Sequence, residues 1–185
     1  MIDELLKDSE VRMHKSIEAL RGEFSKIRTG RAHVSMLEPV TVLYYDVETP
    51  LSQVANVVVD DARCLLVTPW EKQMLSVVEK AIRDAGLGFN PSSSGDSVRV
   101  PVPALTEERR RDLTKVVKSE AENARIAVRN IRRDSNAQLK EWLKEKEISE
   151  DEERKGQDDV QKITDKFIAR VEEALAAKEK DLMEI

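Results

Sequence analysis

Apolar residues recur at helical spacing in three separate stretches of the chain. The first stretch has a narrow apolar stripe whose members lie three, four or seven residues apart: Ile2, Leu6, Met13, Ile17, Leu20, Phe24 and Ile27. This spacing predicts an amphipathic helix that buries one side. Because glycine commonly ends a helix, we expect Gly30 to close this one.

The second stretch predicts a helix of unusual length. Residues 104–148 contain neither Gly nor Pro, and their apolar stripe consists of Leu113, Val117, Ala121, Ala124, Val128, Ile131, Ser135, Leu139 and Trp142. A helix over 107–146 would span about 40 residues and extend about 60 Å. Such a helix needs long partners to cover its apolar side.

The third stretch supplies one of these partners. Its stripe consists of Val160, Ile163, Phe167, Val171, Ala174 and Leu182. It follows Ser149 and Glu152, which have the spacing of a capping box at a helix start. A tight reversal is therefore expected near Ile148. Three long helices that are apolar on one side bury those sides together as a bundle.

Between the first and second helices the apolar period changes to that of strands. Strand-forming residues occupy 40–45, 57–59, 64–67 and 98–102, and residues 60–63 suit a hairpin connection. A single helix is predicted over 74–85, closed by Gly86 and Gly88. The insert is therefore a small α/β domain, and the fold class of the whole chain is α+β.

The order of these elements predicts a discontinuous bundle, residues 1–30 and 105–185, with an inserted domain over 31–104. Two crossings then join the domains, near Gly30-Arg31 and near Pro103-Ala104. Gly30 can adopt backbone angles closed to other residues, and the prolines keep the chain from forming a helix until Thr106 caps the next one. We interpret the double connection as a hinge; the alternative is that Pro103 simply stiffens a connector.

Charge is distributed unevenly along the chain. The formal net charge is −5, which by itself argues against a nucleic-acid partner. Residues 105–148, however, carry 12 basic and 9 acidic groups, a sum of +3, whereas residues 149–185 carry 7 and 12, a sum of −5. This asymmetry would orient the protein on a polyanion.

The basic groups of the long helix form what we call the basic stripe. At 100° per residue they lie about 40–140° round from the apolar stripe, and they are Arg111, Lys118, Arg125, Arg129, Arg132 and Arg133, interrupted only by Glu122. Guanidinium groups match phosphate oxygens, which predicts contact with an RNA backbone. The alternative is a solvated face with Glu–Arg pairs. Aromatic residues are 4% of the chain, so base stacking is not expected.

Other candidate residues carry weaker signals. Arg28 and Arg31 flank Gly30, where they either contact the same RNA or complement the helix C-terminus. His14 and His33 have no companion at metal or triad spacing and receive no role. Motifs for phosphate cradles, nucleophile elbows and zinc proteases are absent. We therefore expect neither an enzyme nor a bound cofactor or metal.

The single cysteine and the hydropathy pattern indicate a compartment. Cys64 lies in an apolar run and cannot form an intrachain disulfide, which suits a reducing cytosol. The first ten residues lack an apolar signal core, and no run of about 18 apolar residues occurs. We expect a cytoplasmic protein without membrane contact.

Several sequence blocks, in order along almost the whole chain, resemble one protein family. They are K-I-R-T-G-R-A (26–32), T-P-L-S-Q-V-A (49–55), E-K-A-I (79–82), V-P-A-L-T-E-E-R-R (102–110), A-V-R-N-I-R-R-D (127–134) and K-E-I-S-E-D-E (146–152). The chain resembles the bacterial ribosome recycling factors. The resemblance implies a long antiparallel three-helix bundle, a small hinged β/α/β domain and an L shape similar in outline to transfer RNA.

The resemblance also implies partners and contact residues. Members bind the post-termination ribosome as monomers, with the bundle on large-subunit ribosomal RNA, while elongation factor G uses GTP to split the subunits. In the family the arginines of two blocks are associated with ribosomal RNA, and here these are Arg109, Arg110, Arg129, Arg132 and Arg133. A coiled-coil adaptor that binds protein clients is the rival interpretation, and its binding would depend far less on salt.

Two positions depart from the family pattern. Asp46 stands where the family usually has Gly, and His33-Val34 stands where a small residue and Pro are common. Aspartate tolerates left-handed backbone geometry, so we expect Asp46 to affect a loop rather than the fold.

Overall fold

The computed structural model describes residues 1–184, which form two compact units. Unit 1 consists of Met1–Arg28 and Glu107–Glu184, and unit 2 is Thr29–Thr106. The predicted domain boundaries, after residue 30 and before residue 105, fall two residues inside unit 2, and residue 185 lies outside the described part. Within residues 1–184, no helix is both long enough and apolar enough to cross a membrane.

Four α-helices are present: α1 (Ile2–Lys26), α2 (Leu75–Asp84), α3 (Glu107–Lys144) and α4 (Glu150–Met183). The long helix α3 has 38 residues and stops two residues before its predicted end. The prediction that Gly30 closes α1 is wrong. The helix stops at Lys26 because Ile27 takes an extended backbone, with ψ 112°, whereas Gly30 forms a later turn with φ +80°.

Helices α1, α3 and α4 pack against one another as the predicted three-helix bundle, which is confirmed. Its core contains Phe167, which is 1% exposed, and the completely buried Val128 and Leu139. Successive pairs run in opposite directions along the paired helices, so α3 is antiparallel to both α1 and α4. These pairs are Ser9–Ser135 and Arg12–Asp134 with α1, and Lys118–Glu179 and Arg125–Glu172 with α4.

The bundle core includes polar and small residues. Ser9, absent from the predicted stripe of α1, is 0% exposed, and its Oγ lies 2.6 Å from that of Ser135. Gly156 lets α4 approach α3 closely, because a Cβ there would lie 3.0 Å from Leu139 Cδ2.

The reversal between α3 and α4 forms as predicted. Lys146 adopts a left-handed backbone with φ 59°, and the Glu147 amide donates to Trp142 O at 2.9 Å. Ser149 and Glu152 then form the capping box, each side chain accepting a hydrogen bond from the other residue's backbone amide. These bonds satisfy two amide donors that the first helical turn leaves open.

Unit 2 contains six strands: β1 (Thr41–Tyr44), β2 (Val47–Pro50), β3 (Ala55–Asp61), β4 (Cys64–Pro69), β5 (Ser92–Ser94) and β6 (Ser97–Pro101). Strands β1 and β2 form a hairpin, and the others form an antiparallel sheet in the order β3-β4-β6-β5. Strands β2 and β5 were not predicted, because they are short and have few apolar residues. The predicted 60–63 connection shrinks to Ala62-Arg63, because β3 continues through a bulge to Asp61.

The core of unit 2 lies between the larger sheet and α2. Leu65, Val67 and Val98 from the sheet pack in one cluster with Val78 and Ile82 of α2, all 0% exposed. The helix is one residue shorter at each end than predicted, and Gly86 beyond it has φ +70°.

The two departures from the family pattern lie in surface turns. Asp46 has φ 62° in the two-residue turn between β1 and β2. His33 precedes a 3₁₀ helix, Val34–Leu37, and its Nδ1 accepts a hydrogen bond from the Ser35 amide at 3.1 Å. Neither residue lies in the core.

Candidate nucleic-acid interface

The basic stripe lies entirely on α3, beside the side chains that this helix buries. Val128 and Ile131 point into the bundle, and Arg129, Arg132 and Arg133 occupy adjoining helical positions. Because α3 packs against both other bundle helices, its backbone is held along most of its length. The stripe is therefore a row of cations on a rigid support.

Arg125 differs from the rest of the stripe because Glu172 of α4 holds it. Its Nε and Nη2 donate to the two carboxylate oxygens of Glu172, at 2.6 and 3.1 Å. A third donor, Nη1, reaches Glu122 at 2.8 Å. The Arg125 side chain is only 17% exposed, so it joins α3 to α4 rather than projecting into solvent.

The electrostatics of this group follow from its hydrogen bonds. The bond from Arg125 holds the pKa of the Glu172 carboxyl below its ordinary value. The same bond, with a second that Arg125 donates to Glu122, raises the pKa of Arg125 against the opposing effect of burial. Both partners therefore stay charged at neutral pH.

Arg129, Arg132 and Arg133 make looser contacts. Arg129 Nη1 lies 3.6 Å from Glu122, with its side chain 44% exposed. Arg132 Nη1 donates to Gln161 at 3.5 Å, and Arg133 Nη1 donates to Asn130 at 3.4 Å. Contacts this long are weak, so these guanidinium groups keep donors that a phosphate oxygen could accept.

The start of α3 is more nearly neutral. Arg111 pairs with Glu107 at 2.5 Å, and Lys118 lies 3.9 Å from Glu179 of α4. Arg109 is exposed and Arg110 half-buried in the same region. The acidic first turn, Glu107 and Glu108, suits the positive end of the helix dipole.

Arg28 and Arg31 are exposed but belong to different units. Helix α1 stops at Lys26, which is the basic residue of its last turn. Arg28 and Arg31 therefore follow the helix by two and five residues in sequence, and both interpretations of these arginines stay predictions.

The remaining candidates make ordinary contacts. His14 lies 3.4 Å from Glu18 one turn away on α1, and Cys64 is a buried free thiol. Residues 1–184 contain no group of three His, Cys, Asp or Glu side chains placed to hold a metal ion. Sequence reasoning missed Glu172, because its pairing with Arg125 depends on the register between two helices.

Comparisons with known proteins agree with the resemblance. The family model for ribosome recycling factor matches residues 20–183. The ribosome-recycling factor of Thioalkalivibrio sulfidiphilus is 63% identical over 185 residues, and that of a Marinomonas species is 60% identical; each match covers 100% of both chains.

Solved structures agree as well. A solution structure of the ribosome recycling factor matches with a TM-score of 0.69 at 34% identity, covering 100% of this chain and 98% of the other. The second match, with a TM-score of 0.63 at 42% identity and 100% coverage of both chains, comes from models of the T. thermophilus ribosome recycling factor and E. coli elongation factor G bound to the E. coli post-termination complex. The chain belongs to the ribosome recycling factor family.

Proposed function

We propose that this protein binds the ribosome after termination and, with elongation factor G and GTP, promotes its dissociation into subunits and the release of mRNA and tRNA. Family membership across the whole chain carries this proposal. The GTP belongs to elongation factor G, and the protein acts as a cytoplasmic monomer that hydrolyses nothing and needs no cofactor.

The basic stripe supplies the contact with large-subunit ribosomal RNA. Arg129, Arg132 and Arg133 contribute most, because their own contacts within the bundle are long or exposed. Planar guanidinium groups can donate two hydrogen bonds to a phosphate, and a packed helix spaces them so that no backbone has to be ordered on binding. Arg109, Arg110, Arg28 and Arg31 add charge near the ends of the unit 1 segments.

Arg125 contributes to this surface indirectly. Its donors are engaged by Glu172 and Glu122, so it fixes α4 beside α3 and leaves phosphate contact to its neighbours. Glu122 also lies 3.6 Å from Arg129, which links the half-buried Arg125 and the exposed Arg129 in one network.

A hinge at Gly30-Arg31 and Pro103-Ala104 lets unit 2 move during subunit separation. Residues immediately inside these pairs are tied to one turn of unit 2: the Ala32 amide donates to Ala62 O at 2.8 Å, and the Val102 amide donates to Arg63 O at 2.7 Å. Flexibility would then begin just outside the two hydrogen bonds. The left-handed Gly30, with φ +80°, supports this assignment.

Sedimentation of purified post-termination ribosomes tests the proposal. The wild type, mixed with elongation factor G and GTP, is expected to convert ribosomes to free subunits. Arg132→Gln should bind and split poorly while unfolding at the same temperature as the wild type. Arg21→Gln is the matched control, because Arg21 is exposed on α1, outside the basic stripe. It lies three helical turns from Glu10 and therefore on the side of α1 that faces α4.

Two outcomes would contradict the proposal at different levels. A wild-type protein that neither binds nor splits ribosomes would overturn the recycling function. Equal activity of Arg132→Gln and Arg21→Gln would instead remove the stripe from the RNA contact. Affinity for ribosomes should also fall by orders of magnitude between about 50 and 200 mM salt, as expected for several phosphate contacts.

A further inference from the structure

A lysine interrupts the apolar stripe of α4. The predicted stripe leaves a gap of eight residues between Ala174 and Leu182. Lys178 stands at the middle of this gap, four residues from each, so it lies on the same side of the helix. Leu182 is 0% exposed, and α4 packs against both α1 and α3. A cationic side chain therefore starts in the seam between the bundle helices.

The surroundings of Lys178 differ from those of the charged residues next to it. Lys178 is half-buried, whereas Lys180 is exposed. Lys180 Nζ lies 3.6 Å from Glu184, and Glu179 lies 3.9 Å from Lys118 of α3. Among residues 1–184, no acidic side chain forms a salt bridge with Lys178. Its ammonium group thus loses hydration without gaining a partner, which is unfavourable.

Burial also changes the acidity of this lysine. It lowers the pKa of Lys178 below the ordinary value of 10.5, and the Asp181 carboxylate one turn further on has the opposite, smaller effect. Lys26, at the end of α1, shows the reverse: its pKa is raised because it donates a hydrogen bond to Glu23. A lower pKa increases the fraction of neutral amine at neutral pH, and the neutral amine is the nucleophilic form of lysine.

Acylation would remove the charge that is unfavourable at this position. An amide formed on Nζ is neutral and adds a small apolar group to a side chain that already lies in the seam. The larger nucleophilic fraction and the loss of a half-buried charge therefore favour the same reaction. Because Lys178 is half-buried, a small acyl donor reaches it more readily than a bulky one.

We propose that Lys178 is a modification site that accepts an acyl group from a small acyl phosphate. The lone pair of Nζ attacks the acyl carbon, and the bond between that carbon and the phosphate oxygen breaks. Inorganic phosphate leaves with that electron pair and takes up the proton that the amine loses, so the products are a neutral amide and phosphate. The inference does not depend on the proposed recycling function, because it rests on the packing of unit 1 alone.

Acetyl phosphate, added to the folded protein near neutral pH, tests this site. Mass spectrometry of proteolytic peptides gives the initial rate of acetylation at each lysine. Lys180 is the matched control, since it lies two residues away on the same helix but is exposed. Lys178 should react about fivefold faster than Lys180, because its larger neutral fraction outweighs its lower accessibility.

The unfolded chain shows whether the fold causes the difference. In urea, Lys178 and Lys180 should react at nearly equal rates, because both are then hydrated. Equal rates in the folded protein, or faster reaction at Lys180, would overturn the proposal. The same holds if acetyl coenzyme A labels Lys178 in the folded protein and acetyl phosphate does not, because the donor is then a thioester.

Substitution measures the effect of the charge independently of any reaction. Lys178→Met keeps a long unbranched side chain and removes the ammonium, so the melting temperature should rise by about 2–4 °C. Lys180→Met should melt close to the wild type, since that ammonium is hydrated. A melting temperature of Lys178→Met at or below the wild-type value would show that the ammonium of Lys178 reaches solvent freely, and the reason for its reactivity would then be lost.

Discussion

Arg125 and Arg129 lie four residues apart on α3, yet their surroundings differ. Arg125 donates two hydrogen bonds to Glu172, and its side chain is 17% exposed. Arg129 is 44% exposed, and its Nη1 lies 3.6 Å from Glu122. Both belong to the same basic stripe in sequence. The two arginines therefore differ because α4 places the Glu172 carboxylate beside Arg125.

The salt dependence of ribosome binding should distinguish these two arginines. Arg129→Met would remove one of the proposed phosphate contacts, so the slope of log affinity against log salt should fall by about 1. Arg125→Met should leave the slope unchanged and lower the free energy of unfolding by about 1 kcal/mol, the upper range for a partly exposed ion pair. A reduced slope in Arg125→Met would show that it, too, contacts phosphate.

The ion pair of Arg125 should also make stability depend on pH. Glu172 has its pKa held below the ordinary value of 4.5 by the hydrogen bond from Arg125. Its contribution is therefore present above the unfolded-state pKa and is lost as pH falls through the lower folded-state pKa. Urea unfolding from neutral pH down to about pH 3 should show the wild type and Arg125→Met converging at the acid end.

Arg133→Met is the control for that series. Arg133 donates to the uncharged Asn130, so its difference from the wild type should not follow the titration of Glu172. Parallel pH profiles for wild type and Arg125→Met would contradict the assigned pair.

At the scale of elements, the contact between α3 and α4 depends on a glycine. A Cβ at Gly156 would lie 3.0 and 3.1 Å from the two terminal carbons of Leu139, which is 0% exposed and cannot move into solvent. A Cβ at Gly22 in α1 would meet no other atom within 4 Å. The two positions therefore separate helix propensity from packing.

Gly22→Ala should raise the free energy of unfolding by about 1 kcal/mol, because alanine favours the helix over glycine.

Gly156→Val should lower the free energy of unfolding by about 2 kcal/mol, because overpacking against Leu139 outweighs any gain in helix propensity. In a Leu139→Ala background, the added side chain fills a cavity and the sign should reverse. Chemical denaturation measures the free energy of unfolding of the single and double variants. If the changes from Gly156→Val and Leu139→Ala simply add, the contact between these two residues does not matter for stability.

At the scale of the whole molecule, each unit has a core of its own. The core of unit 2 is drawn entirely from residues 32–102, whereas Phe167 and Val128 belong to unit 1. Local stability can differ between regions that bury separate apolar clusters. A defect in one core should therefore stay within its unit.

Leu65→Ala should destabilise unit 2 by about 2–5 kcal/mol, since it removes a fully buried side chain. Native-state hydrogen exchange should show lost protection in β4 and β6 and unchanged protection in α3 and α4. Ribosome binding through the basic stripe should keep its salt slope. Equal loss of protection in the bundle would mean that the two units unfold as one.

Much of this architecture could be predicted from local patterns. The apolar stripes gave the three bundle helices, since burial of one helical side repeats every three or four residues. The capping box at Ser149 and Glu152 is confirmed because its two hydrogen bonds are made within four residues of sequence. Strands β2 and β5 were missed, since their pairing with β1 and β6 is what makes such short polar segments strands.

The family resemblance, the α+β class and the position of the basic stripe on α3 were determined by the sequence alone, because they depend on residue order and helical periodicity. Tertiary structure decided which members of that stripe remain available. Arg125 pairs with Glu172, 47 residues further along the chain, and the buried Ser9 shares a hydrogen bond with Ser135, 126 residues away. Periodicity specifies which side of a helix is buried, but the register between two packed helices specifies which side chains meet across it.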